Sequence, residues 1–502
     1  MWPQTLLALM LLGARAGAFS LLGPCADWMQ LTNGYRQFGD IGGPMNLGEE
    51  HRWNVPVLTY GFDPSFLDYF GSNGVAAVEQ AFQILNDLPP ASAILLTNYP
   101  LDSRRVNWVA NQQRLSDLKS ITLTLLLEQL GLAEPTRHVF ILRRWHPLFL
   151  DYPWEPDWPG GIIPYWIDER NFDPETLVPS HCVNATLYGG YAICSDGRAD
   201  VFEYPVDPLA STYTAVAEMG LWDFGGGEFY TSLTRDDVGG LRYLLQATNV
   251  NYETLLPGIH GTGTNAIMWV DGAFRAGVEK VTFVLHPYDS QLSQFLPYTN
   301  QFTDTYVTND TVIRQQVERV VSTPDFLFAA TDGGEVNVPF PFYPPSYFVR
   351  TGTSNWANQA DMNGNPGGSG PGVIRPPVRV TFHEVGHTVR TSDTLPEGAF
   401  DVVDGPWGSF DQSTNPTTAY PCADWSGSNT LTLRLRLRTS SAWAGTFTWR
   451  LQVTRGARAQ LQTSTNLPNW ITVTSVTNTG AVEEWHHVAT RQQRFFRVVS
   501  EE

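Results

Sequence analysis

Between Ser116 and Pro135 the chain reads Ser-Asp-Leu-Lys-Ser-Ile-Thr-Leu-Thr-Leu-Leu-Leu-Glu-Gln-Leu-Gly-Leu-Ala-Glu-Pro. Leu118, Ile121, Leu125 and Leu132 follow helical spacing, and Leu123, Leu126, Leu127 and Leu130 fill the other faces. A helix that is apolar nearly all round belongs in the interior of a sizeable domain. Its ends are marked. Ser116 suits the N-cap, Asp117 the positive first turn and Gly131 the left-handed C′ position, while Pro135 forbids continuation. The pattern therefore predicts one buried helix over Ser116–Leu130, near the helix expected after Thr234.

The same reading places other elements. Val55–Phe62 is strand-like, and Gly74–Leu88 carries Val75, Val78, Phe82 and Leu85 on one helical face. Residues 137–145 read as a strand. Leu233–Leu245 opens with Thr234 as N-cap, with Asp236 and Asp237 in the first turn and Val238, Leu241 and Leu245 inward. Val278–His286 reads as a strand, Thr311–Val321 as a short helix containing Val312, Val317 and Val320, and Phe326–Ala330 as a buried segment. Residues 351–377 are a Gly/Asn/Pro-rich connector. Beyond it, period-2 alternation dominates. Leu431–Arg438 puts four Leu on one face, and Thr446–Thr454, Ala459–Ser464, Trp470–Val476 and Arg494–Val499 repeat the pattern. Short strands at this spacing predict a β-sandwich.

Three of these segments carry a resemblance. Ser120-Ile121-Thr122-Leu123 and Leu130-Gly131-Leu132 match the lead-in and exit of the active-site helix of matrixin-type metalloproteases. The 55–62 strand with the helix ending in Ala81-Phe82 resembles the matrixin opening. Leu233-Thr-Arg-Asp-Asp-Val-Gly-Gly-Leu-Arg-Tyr-Leu-Leu245 is similar to the matrixin closing helix. The resemblance covers roughly residues 53–246 and implies a zincin-like α/β fold. The two ligand histidines and the catalytic Glu would fall on Thr124, Glu128 and Leu125, which cannot make the family's zinc site. No His follows Gly131 at the spacing of a third ligand, and His138 and His146 read as ordinary core or surface histidines. The resemblance therefore implies a pseudoenzyme. Leu461–Trp470 and the Arg494–Val499 ending resemble the C-terminal immunoglobulin-like modules of large exported proteins of environmental bacteria. The whole chain looks like one such bacterial family of unknown function, which implies architecture and export but no reaction.

Composition adds to this picture. The apolar run Leu6–Leu12 followed by Ala16-Gly17-Ala18 reads as a secretory signal with a small-x-small cleavage site. No later run is long and apolar enough for a membrane span, and the expected location is exported: periplasmic, cell-surface or extracellular. Export makes disulfides possible among four cysteines. Cys182 and Cys194 flank Val183–Ile193, where Gly189-Gly190 offers a chain reversal, so the pair is expected to staple a hairpin; Cys25 and Cys422 pair or stay free. The net charge is −19, with nine Arg against four Glu from Trp425 onward, so the last 78 residues carry +5 and the rest −24. An acidic body argues against nucleic acid.

Two motifs bear on metals. Asp361-Met-Asn-Gly-Asn-Pro-Gly-Gly alternates oxygen ligands like a calcium loop, but Pro366 stands where such loops want Gly and no Glu occupies position 12. Calcium is a minor possibility against a plain linker. Phe382-His-Glu-Val-Gly-His-Thr-Val-Arg-Thr-Ser-Asp393 contains HExxH. On a helix, His383 and His387 would bind zinc, Glu384 would polarise the attacking water, and Asp393 sits where some metzincins place a third ligand. Against this, Arg390 replaces the Gly of those enzymes, no Met follows Met362, and the Pro376–Phe382 lead-in alternates like a strand. On a strand, residues four apart are separated by about 13 Å, too far for one ion. The expectation is a strand over Val378–Val389 with both histidines on one side.

The expected architecture is multidomain α+β: a signal peptide (1–18), a zincin-like domain (19–256), a mixed β/α region (257–350), the connector (351–377), a β-rich segment (378–424) and an immunoglobulin-like β-sandwich (425–502). The leading function is a non-catalytic surface or matrix interaction protein without a cofactor. Its partner would be an extracellular polymer or a cell-surface or protein ligand. The rivals are a zinc metalloendopeptidase using His383, Glu384 and His387, and a carbohydrate-binding protein using some of the 17 Trp and 19 Tyr.

Overall fold

A computed structural model describes residues 17–22, 46–112, 115–137, 139–145, 165–195, 198–217, 226–262, 272–289 and 294–331, with shorter stretches between 356 and 501. The chain mixes helix and strand, as the α+β expectation required. In chain order the first elements are strand β1 (Val57–Phe62), helices α1 (Pro64–Asn86) and α2 (Leu118–Gln129), strands β2 (Thr186–Ser195) and β3 (Arg198–Pro205), and helix α3 (Arg235–Leu245). There follow strands β4 (Thr282–Leu285), β5 (Tyr298–Thr308), β6 (Thr311–Val321), β7 (Phe326–Thr331), β8 (Val378–His383), β9 (Thr388–Arg390) and β10 (Asp401–Val402).

The centre of the molecule is a six-stranded sheet of order β4-β1-β7-β8-β9-β10. Its first four strands are parallel, β9 runs antiparallel to β8, and β10 antiparallel to β9. The segments expected to form three regions, 19–256, 257–350 and 378–424, each contribute strands to this one sheet. Helix α1 packs on it. Asp63 caps α1 by accepting from the Ser65 amide, and Pro64 takes the first helical position, where its missing N–H costs nothing. The helix therefore begins ten residues before the expected Gly74, and it breaks at Gly71, where φ is 60°. Rings from both layers interlock. Tyr60 stacks on Phe82 at 4.1 Å, Phe62 lies 5.1 Å from Phe66, and Phe382 meets Trp407 edge-on at 5.3 Å.

Helix α2 is buried on every side, as its sequence predicts. Leu118, Ile121, Leu123, Leu125, Leu126 and Leu127 are all 1% exposed or less. Its N-cap is Asp117 instead of Ser116. Asp117 Oδ2 accepts from the Ser120 amide at 3.0 Å, while Ser116 is taken up in a parallel pairing opposite Trp407. At the other end Gly131 has φ of 109°, and a Cβ there would collide with the His51 carbonyl, so glycine is required twice over. The Trp53 indole donates to the Gln129 carbonyl at 2.8 Å, satisfying one of the orphan acceptors of the last turn. The main helical neighbour of α2 is α1; α3 joins the same core chiefly through the short strand Leu132–Ala133 that follows α2.

The expected helix over Thr311–Val321 is wrong. This segment is β6, paired over its whole length with β5. Asn309 and Asp310 both have positive φ (47° and 58°), the two-residue turn whose twist matches a hairpin. Ile313, Gln315, Val317, Arg319 and Val321 then line the inner face with period 2, and the β-branched residues suit the pleat. Two buried ion pairs anchor this hairpin: Arg319 to Asp325, and Arg275 to Asp304 at 2.9 Å.

Near the C-terminus, strands Leu435–Thr439, Thr446–Leu451 and Glu483–Val488 form one antiparallel sheet, and Ile471–Thr477, Arg458–Ser464 and Phe495–Glu501 another. The expected alternation is realised here as strands, with one, Glu483–Val488, that the pattern had not indicated.

Candidate functional site

The sequence-predicted metal residues are only partly placed. His383 is the last residue of β8, and Thr388 opens β9, which runs back with Val389 opposite Phe382. The single strand expected over Val378–Val389 is thus two antiparallel strands, Val378–His383 and Thr388–Arg390. Glu384, His387 and Asp393 lie outside the described residues, as do the candidate calcium loop, His138, His146, Cys25 and Cys422. On α2, Thr124 and Leu125 are buried in the core, and a threonine and a leucine there supply no zinc ligands.

The expected Cys182–Cys194 staple is not made. Cys182 is a free thiol. It sits in a two-residue strand with its partner Leu187 across the ladder, whereas Cys194 lies opposite Ala199 near the far end of β2. Seven residues of extended strand separate Leu187 from Cys194, about 23 Å. Gly189-Gly190 does not turn the chain; both glycines are inside β2, opposite Tyr204 and Glu203. Burial pushes the Cys182 thiol up, and the nearby Asp236 and Asp173 carboxylates add to the shift, so the group stays protonated and unreactive.

What those glycines do build is a surface. In β2 and β3, residues directly opposite share a face, so Tyr188, Gly190, Val201 and Glu203 lie on one side and Leu187, Gly189, Tyr191, Phe202 and Tyr204 on the other. The first side is covered. Tyr188 and Val201 are 3% exposed, Tyr188 packs with Val139 and Val183 in a small core, and Phe140 lies against Gly190. The second side is open. Tyr191 is 53% exposed, Tyr204 47%, and Leu187 and Val206 about as much. Tyr191 lies 6.0 Å from Phe202 in a stacked arrangement and 6.0 Å from Tyr204 in a tilted one. Two half-exposed tyrosines and a partly buried phenylalanine therefore adjoin one another on this strand face. Gly189 makes the row possible: a Cβ there would sit 2.9 Å from Tyr204 Cζ, so only glycine lets the ring lie over the strand.

Gly189-Gly190 reads in the sequence as a chain reversal, and nothing there tells which face Phe140 and Val139 cover. An exposed apolar row of this kind marks interaction sites, and tyrosine in particular joins a flat apolar ring to a polar tip. Among the described residues no group of three or more His, Cys, Asp or Glu is arranged to hold a metal ion, and no helix is long and apolar enough to cross a membrane. No family model, curated protein or solved structure matches the chain.

Proposed function

We propose that this chain is an exported, non-catalytic interaction protein, and that it contacts a neutral extracellular polysaccharide through the ring row Tyr204–Tyr191–Phe202. The observation that carries this reading is the asymmetry of the 186–205 hairpin: one face is sealed by a small core, while the other keeps Tyr191 and Tyr204 about half exposed, with the partly buried Phe202 beside them. Exposed rings in line suit the flat apolar faces of sugar rings, with the tyrosine hydroxyls left to exchange hydrogen bonds with the sugar hydroxyls. A body carrying −24 outside its last 78 residues repels anionic polymers, which favours an uncharged one.

The zincin-like reading of the N-terminal part rests on the sequence resemblance, and the buried helices α2 and α3 are compatible with it. In this reading the protease framework serves as a scaffold without its metal. The immunoglobulin-like reading of the C-terminal part rests on the sequence resemblance, and the two three-stranded antiparallel sheets are compatible with it. The rival zinc endopeptidase needs His383 and His387 on successive turns of one helix, and a strand ending at His383 does not supply the first of them.

Sedimentation of the purified protein with insoluble neutral glycans (cellulose, chitin, mannan), alongside metal analysis, tests the reading. Retention on at least one glycan with less than one zinc per chain is expected. One zinc per chain together with peptide cleavage abolished by Glu384→Gln would replace it with the enzyme.

A further inference from the structure

The exposed face of the 186–205 hairpin continues past its tyrosines. The Val206 amide donates to the Leu187 carbonyl at 2.8 Å, which carries the pairing of β2 with β3 one rung beyond Pro205. Leu187 therefore stands opposite Val206, on the side that bears Tyr191 and Tyr204, and the two side chains are 48% and 54% exposed. From Tyr191 to Leu187 this surface runs about 13 Å along β2, and it is two strands wide. At its centre Gly189 adds no side chain, and the Tyr204 ring lies over it. In the turn after Val206, Leu209 is 92% exposed.

The six positions Leu187, Gly189, Tyr191, Phe202, Tyr204 and Val206 include no charge and no amide side chain. The two exposed tyrosine hydroxyls are the only side-chain hydrogen-bonding groups among them. A soluble sugar chain is hydrated at all its hydroxyls, and a protein that takes it up must replace those bonds with its own. Sites for such ligands are accordingly concave and hold several converging polar groups. Two hydroxyls on a sheet face do not meet that demand. In an ordered polysaccharide solid the hydroxyls are already bonded to neighbouring chains, and the flat sides of the sugar rings present C–H groups to water. Covering that surface removes apolar area from water on both partners and requires few new hydrogen bonds.

We infer that the hairpin face docks on the ordered surface of an insoluble, uncharged polysaccharide and does not capture soluble oligosaccharides. Tyr191 and Tyr204 lie on sugar rings, and Leu187 and Val206 extend the apolar contact. The inference rests on the glycan-contact reading and narrows its ligand to one physical state.

Adsorption isotherms on crystalline cellulose and chitin, and on the same polymers swollen to the amorphous state, separate the two. At equal accessible area, affinity about tenfold or more higher on a crystalline form is expected. Millimolar soluble hexasaccharide should not displace the protein, and about 1 M NaCl should not release it. Equal or tighter binding to the amorphous form, displacement by the hexasaccharide, or release by salt would overturn the inference and leave the glycan reading standing. Retention on no form of any neutral glycan would overturn both. Leu187→Ser should weaken adsorption to the crystalline form several-fold with Tm within about 2 °C of the native value. Undiminished adsorption would confine the contact to the tyrosines and overturn the extended surface. A dimer in sedimentation equilibrium that Tyr191→Ala dissociates would assign the face to a second copy of the chain, and would overturn the inference as well.

Discussion

Two sets of aromatic rings in this molecule have similar chemistry and opposite surroundings. Around α1, Tyr60, Phe62, Phe66, Phe82, Phe328 and Phe382 sit between helix and sheet and are at most 8% exposed. On the 186–205 hairpin, Tyr191 and Tyr204 stand about half in water with ring spacings no longer than many in the core. The first set is held from both sides by two layers of secondary structure. The second lies on a small three-stranded sheet whose other face is already covered. Ring contact by itself therefore does not tell a core from a binding face; what lies on the far side of the rings does.

The largest expected effect comes from removing a core ring or a central leucine. Phe328→Ala and Leu126→Ala should each destabilise the protein by about 2–5 kcal/mol, measured by denaturant unfolding, because neither site can collapse around the cavity. A loss under about 1 kcal/mol at Phe328 would mean that the α1 layer is not packed as described. A smaller effect is expected from pH at the edge of the core. His286, buried beside Phe295 and Tyr298, bonds to Thr59 and to the Leu296 carbonyl, and burial holds its pKa below the ordinary value. The unfolded chain then binds the extra proton first, so this contribution is intact above about pH 6.5 and is lost as pH falls through that value toward the lower folded pKa. His286→Gln should flatten that part of the stability–pH curve, and an unchanged slope would contradict the assignment. The smallest effect on stability is expected on the hairpin. Gly189→Ala should push the Tyr204 ring aside, weakening glycan retention several-fold while shifting stability by no more than about 1 kcal/mol. Undiminished retention would show that the ring's position over Gly189 does not matter.

The sequence was most legible where one local signal governs one element. Helix α2 was readable from its C′ glycine and all-round apolar spacing, though its N-cap is Asp117 and not Ser116, and α3 from its capping box and inward apolar spacing. Segment 311–321 was misread because Val312, Val317 and Val320 were given more weight than the Asn309-Asp310 turn beside them, which fixes a hairpin. The six-stranded sheet was not legible, because its neighbours β1 and β4 are more than 200 residues apart and strand pairing at that range leaves no local pattern. The same holds for Gly189-Gly190. Two glycines in a row suggest a turn, but here one clears space for Tyr204 and the other for Phe140. The candidate site was not legible, because the Gly189-Gly190 reversal expected there hid a continuous strand. Its exposed face became evident once Val139, Phe140 and Val183 were seen to cover the opposite side.

The central claim is that the exposed rings serve binding and not folding, and the double substitution Tyr191→Ala, Tyr204→Ala tests it most directly. Glycan retention and thermal melting would be measured on the same preparation of the native and substituted proteins. The account predicts loss of retention by tenfold or more, with each ring contributing about 1 kcal/mol, and a melting temperature within about 2 °C of the native value. Retention at the native level, or a melting temperature lowered as far as by Phe328→Ala, would contradict it.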